Sequence, residues 1–372
     1  MVYARRHSPR APNYPMTERQ RLRFCNSSDG VRLAYAATGS GPPLVKAANW
    51  LSHIEHDWQS PIWRHWIDGL SRCHTYIRYD TRGCGLSDRE PPEISLEAWV
   101  RDLEAVVDAA GLERFPLLGI SQGGPVAVSY AVRHPERVSH LVLYGAFPRG
   151  RLRRGLGQAA VEEVLLMNRI IELYWGTSNA AFRKVFANQF MPGAPAELMD
   201  AFDELQRQSA SSADARRALE TSAQVDVTDL APRVACPTLV MHGRQDGRVA
   251  FDQGEVFASL IPGARFVPLE SRNHILMAGE PAWARFLAEI EAFLPRGGAE
   301  PAFAALTARE RDVLEQLARG LDNHQIAARL ELSEKTVRNH VSSVLAKLAV
   351  ESRAQAIVRA REAGFGVGAA AR

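Results

Sequence analysis

Ser121, Asp246 and His274 are the side chains whose kinds and order could do covalent chemistry. Ser121 lies in Gly119-Ile-Ser-Gln-Gly123, with a glycine two residues to either side. A sharp strand-to-helix turn leaves no room for side chains at those flanking positions and presents the hydroxyl at the mouth of a sheet. The helix behind it offers backbone N–H groups, Gln122's among them, to a developing oxyanion. Asp246 ends Met241-His-Gly-Arg-Gln-Asp after one strand-like run, and His274 ends Glu270-Ser-Arg-Asn-His after the next. A hydroxyl, an imidazole and a carboxylate are the parts of acyl transfer. A lone Gly-x-Ser-x-Gly is a weak sign, because both residues are common. The plainer alternative is a surface acid and a capped histidine.

The surrounding elements alternate in the way that would position such groups. Residues 21–45 suggest an opening pair of strands and then a third, around Asp29-Gly30 and Gly39-Ser-Gly41-Pro-Pro. Thr75–Asp80, Phe115–Gly119 and Val138–Tyr144 read as further strands. Helices are expected from Ser95 to Ala110, with Leu96, Val100, Leu103 and Val107 on one face, and from the Ser121 turn through Val132. This strand-helix rhythm predicts an α/β fold with a parallel sheet covered on both faces. Residues 149–229 break it with helical patterns rich in Leu, Met and aromatics and no strand signal. They are expected to form a lid, its aromatics mostly packing and some lining a pocket. Arg149, Arg151, Arg153 and Arg154 are expected at a solvated lid edge, the other reading being contact with an anionic ligand or DNA. Strands resume at Pro237–Met241 and Arg265–Leu269, and a last amphipathic helix runs from about Pro281 to Leu294.

From about Arg21 to Leu294 the chain resembles the α/β-hydrolase superfamily. Tyr79-Asp-Thr-Arg-Gly-Cys-Gly-Leu-Ser-Asp88 is similar to its D-x-R-G-x-G-x-S-D loop, Pro237–Asp246 is similarly typical, and the chain order Ser, Asp, His is the one it uses. The resemblance implies Ser121 as nucleophile, His274 as general base and Asp246 as its orienter. The sequence departs from the family at the loop after the third strand. Ala47-Ala-Asn-Trp50 stands where His-Gly is usual, which leaves the Trp50 N–H as the second oxyanion donor beside that of Gln122.

A second constellation follows Pro295-Arg-Gly-Gly-Ala-Glu-Pro301, which reads as a linker. Thr307-Ala-Arg-Glu310 is a capping box opening a helix with Val313, Leu314 and Leu317 inward, and Asp322-Asn-His-Gln325 is another before Ile326 and Leu330. Glu331-Leu-Ser333 makes a turn into a third helix. There Val337, Val341, Val344, Leu345 and Leu348 form one apolar face. Lys335, Arg338, Asn339, Ser342 and Ala346 lie opposite, polar or small as entry into a major groove requires. Residues 303–365 resemble the LuxR-type helix-turn-helix domain through Leu306-Thr-x-x-Glu-x-x-Val-Leu, Ile326-Ala, Leu332-Ser-x-x-Thr-Val-x-x-His-Val and Lys347-Leu. That resemblance implies duplex DNA as a partner, with Arg338, Asn339 and Ser342 facing bases. It implies Lys335, Thr336, His340 and Lys347 on phosphates, and a fourth helix, Ser352 to Ala363, supporting a homodimer.

Composition narrows the alternatives. At 372 residues two or more domains are expected, and 46% hydrophobic residues exclude a disordered chain. The last 72 residues hold eleven Lys/Arg against eight Asp/Glu, so their excess equals the net charge of +3. The four cysteines form no C-x-x-C pair, consistent with reduced thiols. Residues 1–20 lack the apolar run of a secretory signal, and no segment has the roughly 20 apolar residues of a membrane helix. These features predict a cytoplasmic protein. His53-x-x-His56 invites a metal reading, but no further ligand cluster accompanies it, so neither metal nor cofactor is expected. The expected layout is a flexible tail (1–20), a hydrolase domain (21–294), a linker (295–302), a helix-turn-helix domain (303–365) and a tail (366–372). Two functions fit: a regulator sensing a small acyl, ester, lactone or aromatic ligand, and an active esterase or lactonase carrying a DNA-binding tail.

Overall fold

The computed structural model describes residues 20–175, 177, 181–294, 303, 305–363 and 365–366. The expected tails and linker lie mostly outside these residues. Eight strands form one sheet in the order β1-β2-β4-β3-β5-β6-β7-β8. They are β1 (Arg21–Asn26), β2 (Arg32–Thr38), β3 (Pro43–Ala47), β4 (Thr75–Tyr79), β5 (Phe115–Ile120), β6 (Val138–Tyr144), β7 (Thr238–Gly243) and β8 (Arg265–Leu269). The β1–β2 and β2–β4 pairs are antiparallel and all others parallel; a tight turn joins β1 to β2, and helical crossovers serve the parallel pairs. Every residue of β5 and β7 is buried, which is why both read as continuous apolar runs.

The helices of this part are α1 (Ile54–Gln59), α2 (Arg64–Ser71), α3 (Leu96–Ala109), α4 (Gly123–Arg133), α5 (Gln158–Tyr174), α6 (Ala181–Phe190), α7 (Ala196–Ser209), α8 (Ser212–Gln224), α9 (Asp252–Leu260) and α10 (Pro281–Phe293). Three of them, α1, α2 and α9, escaped the sequence reading. Helix α1 has six residues, too few for a periodic signal, and it starts where His53 Nδ1 accepts the His56 amide at 3.3 Å. His53 therefore caps a helix, and among the described residues no group of three or more His, Cys, Asp or Glu could hold a metal ion.

The segment between β6 and β7 carries α5 to α8 as expected of a lid, with one departure. Arg149 and Asp226 form an antiparallel bridge, and the amides of Gly150 and Val227 donate to Val225 and Pro148 carbonyls at 2.8 and 2.9 Å. The two ends of the insertion are thus stitched together by strand-like pairing too short to leave a pattern in sequence.

The loop after β4 is a structural lock. The Asp80 carboxylate, fully buried, accepts the Ile54 amide at 3.0 Å and the Leu86 amide at 2.9 Å. Gly85 has φ +54°, and a Cβ there would sit 2.0 Å from Asp80 Oδ2, so glycine is required. Arg82 is buried between Asp102 on α3 and Asp29 in the β1–β2 turn, each ion pair at 2.7 Å. The D-x-R-G-x-G-x-S-D motif therefore binds the sheet edge to α1 and α3. Removing one partner of such a buried pair leaves a charge without compensation. Asp102→Ala should accordingly lower the unfolding free energy by about 3 kcal/mol in urea denaturation. A change below about 1 kcal/mol would mean that Asp29 alone satisfies the guanidinium.

Residues 303–366 form a second hydrophobic core, separate from that of the sheet and centred on Val313, Leu317, Ile326, Val337 and Val344. Its helices are α11 (Ala308–Ala318), α12 (Asn323–Leu330), α13 (Glu334–Lys347) and α14 (Arg353–Glu362). The capping boxes expected at Thr307 and Asp322 are both formed, and Ser352 makes a third at the start of α14. No helix among the described residues is long and apolar enough to cross a membrane.

Candidate functional site

Ser121 sits between β5 and α4 with φ +52°, a left-handed conformation unusual for a residue with a side chain. The glycines around it make the turn possible. A Cβ on Gly119 would lie 2.9 Å from the Gly123 carbonyl oxygen and from Gly124 Cα, and one on Gly123 would lie 3.0 Å from the Ala47 carbonyl oxygen. The Ser121 amide donates to Tyr144 O at 2.9 Å, tying the turn to β6. Helix α4 starts immediately after this turn, with no side-chain cap on its first amides, and the Gly124 amide donates to the Ser121 carbonyl at 2.9 Å.

Asp246 follows β7 and His274 follows β8. His274 Nδ1 lies 2.6 Å from Asp246 Oδ2, and both side chains are buried. The other carboxylate oxygen accepts the Arg248 and Val249 amides at 2.8 and 2.9 Å. Burial alone would raise the Asp246 pKa, but the charge and hydrogen bond of His274, with His242 beyond, hold it below the ordinary value. An ionised Asp246 assigns the imidazole proton to Nδ1 and leaves Nε2 as the acceptor. Nε2 is buried and has no hydrogen-bond partner, so its bond to Ser121 is not made in this geometry. Such bonds often tighten only when substrate arrives. The imidazole is clamped by the lid: its backbone amide donates to Phe190 O at 2.8 Å, and the Phe190 ring meets it edge-on at 5.4 Å.

Gly145, which the sequence reading did not single out, makes room for this histidine. Its φ is +55°, and a Cβ would come within 3.0 Å of His274 Cε1. Trp50 and Gln122, expected as backbone oxyanion donors, line one pocket together with Ser121. The Trp50 indole stacks on Phe186 and meets Trp175 edge-on, so the departure from His-Gly serves to dock the lid. Arg151 and Arg154 also line the pocket, which corrects their expected place at a solvated edge. Arg149 and Arg153 are exposed as expected.

In the C-terminal part, Glu331 closes α12 at φ +55° and turns the chain into α13. Lys335, Arg338, Asn339 and Ser342 are exposed along α13, and none of them is hydrogen-bonded or ion-paired to a described residue. His340 is half-buried beside them. The Thr336 hydroxyl lies 2.7 Å from that of the capping Ser333. Lys347, expected on a phosphate, is ion-paired within the domain. Its ammonium donates to Glu310 Oε2 at 2.7 Å, while Glu310 also accepts the Ser343 hydroxyl and the Thr307 amide. That cation is engaged inside the domain, pinning the end of α13 to the start of α11.

The Lys347 and Ser343 hydrogen bonds lower the Glu310 pKa to about 2. A carboxylate whose folded pKa lies below its unfolded value stabilises the fold above the unfolded value and loses that contribution as pH falls through the folded one. Segment 303–372 should therefore lose stability between about pH 5 and pH 2, and Glu310→Gln should flatten that slope. Equal slopes for wild type and variant in denaturation across this range would remove Glu310 from the account.

Residues 59–281 match the family described as alpha/beta hydrolase fold, and residues 304–360 match bacterial regulatory proteins of the luxR family. Pyrrolizixenacetamide deacetylase from Xenorhabdus hominickii is 25% identical over 276 residues, covering 71% of this chain and 95% of that protein. The nitrate/nitrite response regulator protein NarP of Escherichia coli is 47% identical over 74 residues, 20% of this chain and 33% of NarP. An esterase from Exiguobacterium antarcticum superposes with a TM-score of 0.62 at 25% identity, covering 73% of this chain and 98% of that one. With the sheet order, the turn at Ser121 and the four C-terminal helices, these matches show that the chain belongs to the α/β-hydrolase fold family and carries a LuxR-type DNA-binding domain at its C-terminal end.

Proposed function

We propose that this protein is a cytoplasmic, homodimeric transcriptional regulator whose hydrolase domain senses a small acyl, ester, lactone or aromatic compound beneath its lid. One observation carries the reading: a lidded pocket floored by Ser121 and a DNA-binding domain occupy the same chain. Free, exposed Arg338 and Asn339 on α13 supply the base-reading groups, and a dimer would set two such helices at paired half-sites. Relatives named as a deacetylase and an esterase point to acyl compounds as the chemistry of the pocket.

A second reading is an active serine hydrolase with a DNA-binding tail. It is favoured by the 2.6 Å contact between Asp246 and His274, which orients the imidazole with Nε2 open to take a serine proton once the Ser121–His274 bond forms. In that reading His274 takes the Ser121 proton as the hydroxyl attacks an acyl carbon, and the Trp50 and Gln122 amides stabilise the oxyanion.

The two readings separate in one experiment. Duplexes bound by the full chain are selected from a random pool, and the best site is titrated with and without small esters and lactones, with hydrolysis followed in the same wells. The regulator reading predicts that a pocket ligand shifts site affinity by roughly 5- to 150-fold, and that Ser121→Ala keeps the response. A response lost in Ser121→Ala, despite retained ligand binding, would make a covalent step the signal and favour the enzyme. Ligands that bind without changing site affinity would overturn sensing.

A further inference from the structure

The pocket beside Ser121 is unusual in its charge. Three arginines reach it from two directions: Arg151 and Arg154 from the lid's first turn, and Arg248 from the loop that presents Asp246. Only Arg151 is neutralised, by Glu163 of α5, and its Nε is buried without a partner. Arg154 donates its Nε to the Arg149 carbonyl at 2.8 Å and lies over the Phe147 ring. Arg248 meets Gln189 Oε1 at 3.4 Å and lies over the Phe190 ring. Neither has a carboxylate at ion-pair distance among the described residues.

We propose that this pocket takes a compact, carboxylate-bearing acyl compound, its carboxylate gripped by Arg154 and Arg248 with Arg151 beside them and its acyl group toward Ser121. This rests on the reading that a small molecule occupies the pocket. Guanidinium groups match a carboxylate with two parallel hydrogen bonds, and such charge-assisted bonds are strongest where water is excluded. Burial, with mutual repulsion among the arginines, pushes Arg154 and Arg248 down to about 10, so both remain charged at neutral pH. An incoming anion relieves that repulsion. The space beside Ser121 is small, about 70 Å³, and opens to solvent, which favours a short molecule. Because Arg154 belongs to the lid and Arg248 to the triad loop, the carboxylate would tie the two together. That gives the ligand a different affinity for closed and open lids, the requirement for any ligand that shifts a conformational equilibrium.

The test uses monomethyl succinate against dimethyl succinate, which differ by one charge. Binding to the full chain is measured by calorimetry without DNA, in the Ser121→Ala background so that no ester is consumed. The expected result is that the monoester binds roughly tenfold or more tightly than the diester. Arg154→Gln and Arg248→Gln should each reduce that ratio toward one, and Arg154→Lys and Arg248→Lys should keep part of it. A ratio near one in the parent, or a ratio unmoved by both glutamine variants, would overturn the assignment. Tighter binding of monomethyl phosphate than of the monoester would overturn the carboxylate class. Since DNA is absent, failure here leaves the regulatory reading intact, and a missing DNA response leaves the carboxylate site intact.

Discussion

The left-handed backbone of Ser121 is the constraint on which the pocket side of the fold depends. Holding a residue with a side chain at φ +52° costs on the order of 1–3 kcal/mol, and the surroundings must over-determine it. They do so with contacts that exclude a Cβ at Gly119 and crowd one at Gly123, and with the Ser121 amide bonded to β6. The same turn points α4 at the loop after β3, where Trp50 stands. Trp50 in turn supports Phe186 and Trp175 of the lid. Strain at one residue, packing beneath it and lid docking above it are therefore one connected arrangement.

Asp246 and His274 are held from a different direction. Asp246 is fixed by two amides of its own loop, and His274 is fixed by Asp246 on one side and by the lid residue Phe190 on the other. The imidazole thus reports on lid position as well as on its carboxylate. Movement of α6 would shift Phe190 and with it the His274 imidazole. This shared dependence gives a physical route by which ligand, lid and triad can act together, whichever of the two functional readings holds.

Most of the sheet was legible because buried strands leave uninterrupted apolar runs and the glycine spacing at Ser121 has a steric cause. The DNA-binding helices were legible for a different reason, since capping boxes at Thr307 and Asp322 mark helix starts in the local sequence. What stayed hidden depends on contacts between distant segments. Gly145 matters only because His274, far along the chain, packs on it. The partner of Lys347 within the domain, Glu310, lies 37 positions earlier and leaves no local sign. Arg151 and Arg154 looked like surface charge because nothing local says that the lid folds them inward beside Arg248. The bridge between Arg149 and Asp226 is one residue pair wide, below the length at which alternation becomes visible.

The central claim is that occupancy of the pocket and affinity for DNA are coupled within one chain. Modifying Ser121 with a small activated phosphonate fills the pocket covalently and needs no knowledge of the natural ligand. The most direct measurement is the affinity of labelled and unlabelled protein for the same selected duplex, after mass spectrometry has located the label on Ser121. A shift of roughly 5-fold or more between the two forms is expected. Equal affinities, with Ser121 fully labelled and both domains folded, would contradict it.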